Sequence, residues 1–396
     1  MKEYLEQDIK RGPSSTSNAE QPAENVVELL EGGTQGWLTL LGSYINAFGV
    51  YQDFYVREYL TKYSPSAIGW IGGIQLFLMF SSGLLTGSAF DLGYFIVLHG
   101  VALFMLSLSK ENQYYQIFLA QGVCFGISVG LTYSPSLAII SHYFNKRRAL
   151  AIGLASGGSA LGAIVHPILL NRLFNSRVGF SNGIRISASI TLSLLIVATV
   201  ISKPRLRPKN VNHLPLLELL QDPAYIFLAI SIFLAFGGLF FPVFYLQLDA
   251  ISHHVDKGLA FYVLSILNAA NWFGRIVPTI FAPRFGVFNL LNVFTVAASI
   301  SLLCMAAIGN LTGVVLIAIF FGFFSGATMS LTPASTVSLA RNPAEAGKGL
   351  GLIFGIGGKH PQPIAGALLT HELRWLHAIL FAGVGAISTF DVQMLN

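Results

Sequence analysis

Asn268, Asn271 and Arg275 recur at intervals of three and four inside an otherwise apolar run. At helical periodicity they share one face, a polar stripe in an apolar helix. If that run lies in lipid, its guanidinium costs about 2.5–3.5 kcal/mol to insert, so it must face a hydrated cavity or a partner. The partner reading is pairing with backbone carbonyls or a buried acid at a helix crossing. The cavity reading makes Arg275, Asn271 and Asn268 part of a binding site. Asn46, Tyr51 and Gln52 in the first apolar run and Tyr245 in the seventh are further candidates to line it. Asp53 stands at the end of its run, where an aspartate is ordinarily solvated. Lys359 and His360 interrupt the eleventh run, facing the cavity or marking local drift.

The elements that position these groups follow from composition. The 396 residues are 54% hydrophobic and only 10% charged, against roughly 25% charged in soluble domains. Such a chain lacks the polar surface for water, and a lipid bilayer becomes its main partner. The net charge of +5 comes from basic residues dispersed between apolar runs, which is no nucleic-acid signature. Cys124 and Cys304 lie in separate apolar runs and form neither a disulfide framework nor a metal spacing. No His-Glu-x-x-His, Walker or Gly-x-Ser-x-Gly pattern occurs, and the nine histidines are scattered. The sequence therefore points away from an enzyme and implies no cofactor or metal.

A helix needs roughly 20 residues to cross about 30 Å of hydrocarbon. Twelve candidate spans emerge, near 37–56, 66–89, 93–108, 115–138, 149–171, 184–201, 224–246, 258–281, 288–309, 311–331, 349–369 and 375–390. The first, third and twelfth are marginal: the third and twelfth are short, and the first includes Asn46, Gln52 and Asp53. Residues 1–35 are polar, without a signal-peptide core, and are expected to be a disordered cytoplasmic tail. The stretch 202–223, with three prolines ahead of its short LLELL piece, is the longest polar interruption after that tail. It divides the chain into two six-helix sets, 36–201 and 224–396. Counting Lys and Arg between spans places Lys146, Arg147, Arg148 and the cluster at 203–209 inside, with both termini cytoplasmic. The halves echo one another. Gly157-Gly158 recurs as Gly357-Gly358 and Leu150 as Leu350, each shifted by 200 positions, and Phe90 pairs with Phe281 at a shift of 191.

Two six-helix sets joined by a basic loop resemble the major facilitator superfamily. Glu31-Gly32-Gly33 with Gly36-Trp37 and the block YFNKRRALAIGLASGGSALG at 143–162 resemble its monocarboxylate transporter family. FGVYQDFY, YSPSAIGWIGGIQ, LAQGVCFG and GRIVP look like that family's fungal branch. The resemblance implies an all-α membrane protein of the major facilitator fold, two bundles with about 12 transmembrane helices. It implies that Arg275 binds a substrate carboxylate, for which the guanidinium fork is suited. It assigns Asp91 and Arg284, with Arg147 and Arg148 at the membrane face, to the cytoplasmic latch. Leu92 and Pro283 replace expected latch partners, and Asn271 and Asn46 stand where proton-coupling residues are expected. Gly153/Gly157 and Gly158/Gly162 are small-xxx-small pairs for close helix crossing.

The expected function is secondary active transport of a small organic anion by alternating access, with protons as a candidate co-substrate. The plasma membrane is the expected site, an organellar membrane the other. The alternatives are import or export of a larger metabolite, or a non-transporting receptor-like paralogue.

Overall fold

The computed structural model describes residues 55, 59–82, 94–140, 144, 147–174, 176–201, 219–252, 257–307, 310–340 and 343–357. Every element among them is helical. In chain order these are α1 (Pro65–Ser81), α2 (Tyr94–Ser107) and α3 (Tyr114–Ile117). A π-helical stretch (Phe118–Phe125) leads from α3 into α4 (Gly126–Ile140). They continue as α5 (Arg148–Phe174), α6 (Gly179–Ile201), α7 (Pro223–Ser252), α8 (Lys257–Phe285), α9 (Val287–Cys304), α10 (Leu311–Leu339) and α11 (Pro343–Gly357).

These helices follow the expected spans from the second to the eleventh. Six are long and apolar enough to cross a membrane, and Ala67–Met79 and Val97–Ser107 are shorter apolar helices. The long ones overrun their hydropathic segments: α10 reaches Leu339, where the sequence suggested 331, and α7 reaches Ser252. Hydropathy marks the stretch that lipid selects, whereas hydrogen bonding carries a helix on past it. The third expected span is described from Tyr94 to Ser107. The first and twelfth spans, Lys359, His360 and the polar tail lie outside the described residues.

The molecule's exterior is apolar. Val97, Val165, Val200 and Val293 are each more than 60% exposed, as a lipid-facing surface allows. Hydroxyls inside α10 turn back onto their own helix: Thr332 and Thr336 donate to the carbonyls of Thr328 and Thr332, at 2.8 and 2.9 Å. Such bonds satisfy polar side chains where no water is present.

Glycine decides how closely the helices approach. On α4 and its π-helical lead, Gly122 and Gly126 face α1, where added Cβ atoms would meet Ile74 at 2.6 Å and the Gln75 carbonyl at 2.9 Å. On α10, Gly322 and Gly326 face α8 in the same way, against the carbonyls of Leu267 and Asn271. The two glycine pairs are related by the same shift of 200 positions as Gly157 and Gly357. Gln75 on α1 thus stands where Asn271 stands on α8, and the repeat seen in sequence takes physical form as two matching crossings.

A side chain at Gly326 would occupy the position of the Asn271 carbonyl, whereas Gly69 has open space around it. Overpacking costs about 1–3 kcal/mol. Gly326→Val should therefore lower the thermal midpoint in detergent and reduce monodisperse yield on size exclusion, while Gly69→Ala leaves both unchanged.

Candidate functional site

The stripe on α8 lies where α8 crosses α5 and α10. Gly153 brings α5 close to α8: an added Cβ would sit 2.5 Å from Thr279 Oγ1 and 2.6 Å from the Arg275 carbonyl. At Gly157, one turn on, an added Cβ would lie 3.5 Å from Trp272 Nε1, an ordinary contact distance. Of the two, Gly153 is the one at which a side chain would collide with α8. Gly158 is buried and Gly162 half-buried.

This approach lets the Arg275 guanidinium reach α5. Nη1 donates to the Ser156 carbonyl at 2.8 Å and to Ser159 Oγ at 2.9 Å. Nε donates to Asn271 Oδ1 at 2.7 Å, one turn back on its own helix. Asn271 is buried and anchored in turn, its Nδ2 donating to Ser325 Oγ on α10 at 3.2 Å. Tyr133 of α4 lies close enough to the guanidinium to interact electrostatically. Its ring packs edge-on against Phe354 of α11 at 5.9 Å. Among the described residues no carboxylate pairs with Arg275 and none bonds its Nη2.

Arg275 sits at a helix crossing and bonds a backbone carbonyl of α5. Asn271 belongs to the same site. Asn268 shares the stripe but bonds within α8, Nδ2 donating to the Leu264 carbonyl at 3.0 Å. Tyr245 lies on α7, and Asn46, Tyr51, Gln52 and Asp91 lie outside the described residues.

Arg148 of the basic cluster reaches across the chain. Arg148, half-buried, donates from Nε to the Phe144 carbonyl at 3.3 Å and from Nη1 to the Val337 carbonyl of α10 at 3.4 Å. Arg147 is exposed. Arg284 is also exposed, its guanidinium over the Phe285 ring at 5.8 Å from the centroid.

The sequence did not single out Ser156, Ser159, Trp272 or Tyr133. The serines stand among the glycines of the 143–162 block, and only the crossing shows that they face an arginine more than a hundred residues away. Trp272 Nε1 is buried with no hydrogen bond, packed over the bare backbone of Gly157.

Replacing Asn271 by leucine would leave Arg275 Nε and Ser325 without their partner. Hydrogen bonds to charged groups contribute about 1.5–3 kcal/mol, so Asn271→Leu should lower the thermal midpoint by several degrees. Asn271→Asp keeps the acceptor and should stay closer to wild type in the same melt.

Comparison with known proteins agrees with this architecture. The Major Facilitator Superfamily model matches residues 35–360. The aspyridones efflux protein apdF of Emericella nidulans is 34% identical over 386 residues, covering 92% of this chain and 79% of the relative. The agnestins efflux protein AgnL12 of Paecilomyces divaricatus is 35% identical over 401 residues, covering 95% and 90%. Neither is named for a monocarboxylate, and the matching model is that of the whole superfamily. Among solved structures, the fucose:proton symporter FucP of E. coli superposes with a TM-score of 0.67 at 15% identity, covering 91% of this chain and 97% of the symporter. The human organic anion transporter MFSD10 gives 0.65 at 14%, with the same coverages. The chain is a multi-pass integral membrane protein and a transporter belonging to the major facilitator superfamily.

Proposed function

We propose that this transporter exports a small organic metabolite, with Arg275 holding an acidic or electron-rich oxygen of the cargo. The observation that carries this reading is an arginine fixed at the α5–α8 crossing whose Nη2 has no hydrogen bond among the described residues. The efflux proteins matched over 79% and 90% of their length at about one-third identity favour export of a metabolite over the monocarboxylate porter that the motifs implied.

The mechanism follows alternating access. The six-helix sets 36–201 and 224–396 would rock about a midplane site, with the loop 202–223 and both termini on the cytoplasmic side of the plasma membrane. On that orientation Arg148 and Val337 tie the two sets at the cytoplasmic end, and release of this contact opens the site inward. The α5–α8 crossing lies between the sets, so cargo bound at Arg275 contacts both. Proton coupling gains no acid at this site: Asn271 supplies an amide where the resemblance implies a carboxylate.

Fluorescein is a suitable probe, since it carries acidic oxygens on an aromatic frame. Proteoliposomes preloaded with fluorescein should lose it several-fold faster with the protein than without. Arg275→Gln should cut that rate by about tenfold with protein yield and orientation unchanged. An unaltered rate in Arg275→Gln would remove the anchor role, and no efflux by wild type would count against export of this class of cargo.

A further inference from the structure

We infer, on the alternating access proposed above, that the indole N–H of Trp272 and the hydroxyl of Ser156 form a switch at the α5–α8 crossing. The two are apart in the described arrangement. They bond to one another in the arrangement the crossing takes once the six-helix sets have shifted.

Trp272 stands one turn before Arg275 on α8, against α5. Its Nε1 is buried and has no hydrogen-bond partner. A Cβ added at Gly157 would lie 3.5 Å from that nitrogen and 3.6 Å from Cδ1, so the N–H edge of the ring meets a position of α5 that carries no side chain. Phe273 packs edge-on against the indole at 4.9 Å and supplies no oxygen. A buried donor without a partner has lost the bond it made to water and gained none. This nitrogen therefore works against the crossing that Arg275 stabilises.

Packing does not require the N–H. Gln75 corresponds to Asn271 across the repeat, so Leu76 corresponds to Trp272. Leu76 is 6% exposed and belongs to one core cluster with Leu350, Ile353 and Phe354 of α11, the helix that meets α1 as α5 meets α8. An apolar side chain fills the matching place there.

Ser156 is the acceptor that a rotation of α5 about its own axis would deliver. It adjoins Gly157 and is 3% exposed. Its hydroxyl donates to the Gly153 carbonyl at 3.1 Å, which uses its one hydrogen and leaves the oxygen able to accept. Its carbonyl accepts from Arg275 Nη1 at 2.8 Å. Turning α5 so that Ser156 Oγ replaces Gly157 beneath the indole draws that carbonyl away from Arg275. One residue thus serves Arg275 in one arrangement and Trp272 in the other.

The test is a distance measurement on the full chain in lipid nanodiscs, without cargo. Spin labels at Arg177→Cys and Leu311→Cys, in a Cys124→Ser, Cys304→Ser background, report the gap between the sets. Both sites are exposed and lie at the end opposite the Arg148–Val337 contact. Wild type should show two separations, one of them that of the described arrangement. Replacing Trp272 by 3-benzothienylalanine keeps the ring and removes the N–H; Ser156→Ala removes the acceptor and keeps the carbonyl. Each should shift the equilibrium toward the described separation by about fivefold, the worth of one hydrogen bond. The two together should shift it no further than either alone, because they remove opposite ends of one bond. A single separation in wild type, wild-type populations in either variant, or fully additive shifts overturn the switch. Fluorescein efflux is scored separately, so its absence counts against the export reading and leaves the distances to decide the switch.

Discussion

A guanidinium inside an apolar helix must be hydrogen-bonded by the protein around it, because lipid supplies no acceptors. Around Arg275 that demand is met by one amide on the same helix and by a carbonyl and a hydroxyl on α5. Meeting it fixes the separation and rotation of α5 against α8. It also ties in α10, through the bond from Asn271 to Ser325. The charge joins helices from the two halves of the chain and leaves a small cationic surface where they meet.

That arrangement depends on close backbone approach, and close approach depends on missing side chains. Without a hydrophobic driving force between helices in lipid, association rests on van der Waals packing and hydrogen bonds at short range. Gly153 allows α5 to lie against the Arg275–Thr279 turn; Gly322 and Gly326 allow α10 to lie against Leu267 and Asn271. The first half repeats the second crossing with Gly122 and Gly126 against α1, but there Gln75 takes the place of Asn271 and Met79 that of Arg275. The geometry is duplicated and the charge is not.

Much of the fold was legible because lipid imposes a simple rule on sequence. Runs long and apolar enough to span had to be helices, and from the second to the eleventh their described residues are helical. Helix ends were less legible, as α7 and α10 show, since a helix continues into water wherever its backbone bonds remain favourable. The π-helical stretch at Phe118–Phe125 was not legible at all. Nothing in its composition distinguishes one extra residue per turn from an ordinary α-helix.

The sequence by itself determined that this chain lives in a bilayer, that it is built from helices, and that Arg275 and Asn271 share one face of an apolar helix. Periodicity and the cost of an intramembrane charge are enough for those conclusions. Only the tertiary structure decided which donors of Arg275 are spent, because Ser156 and Ser159 lie more than a hundred residues away and reach it solely through the α5–α8 crossing. It also decided that Asn268, on the same stripe, bonds its own helix. Spacing along one helix shows which side chains share a face. What meets that face is set by the packing of other helices, which no periodicity along one helix records.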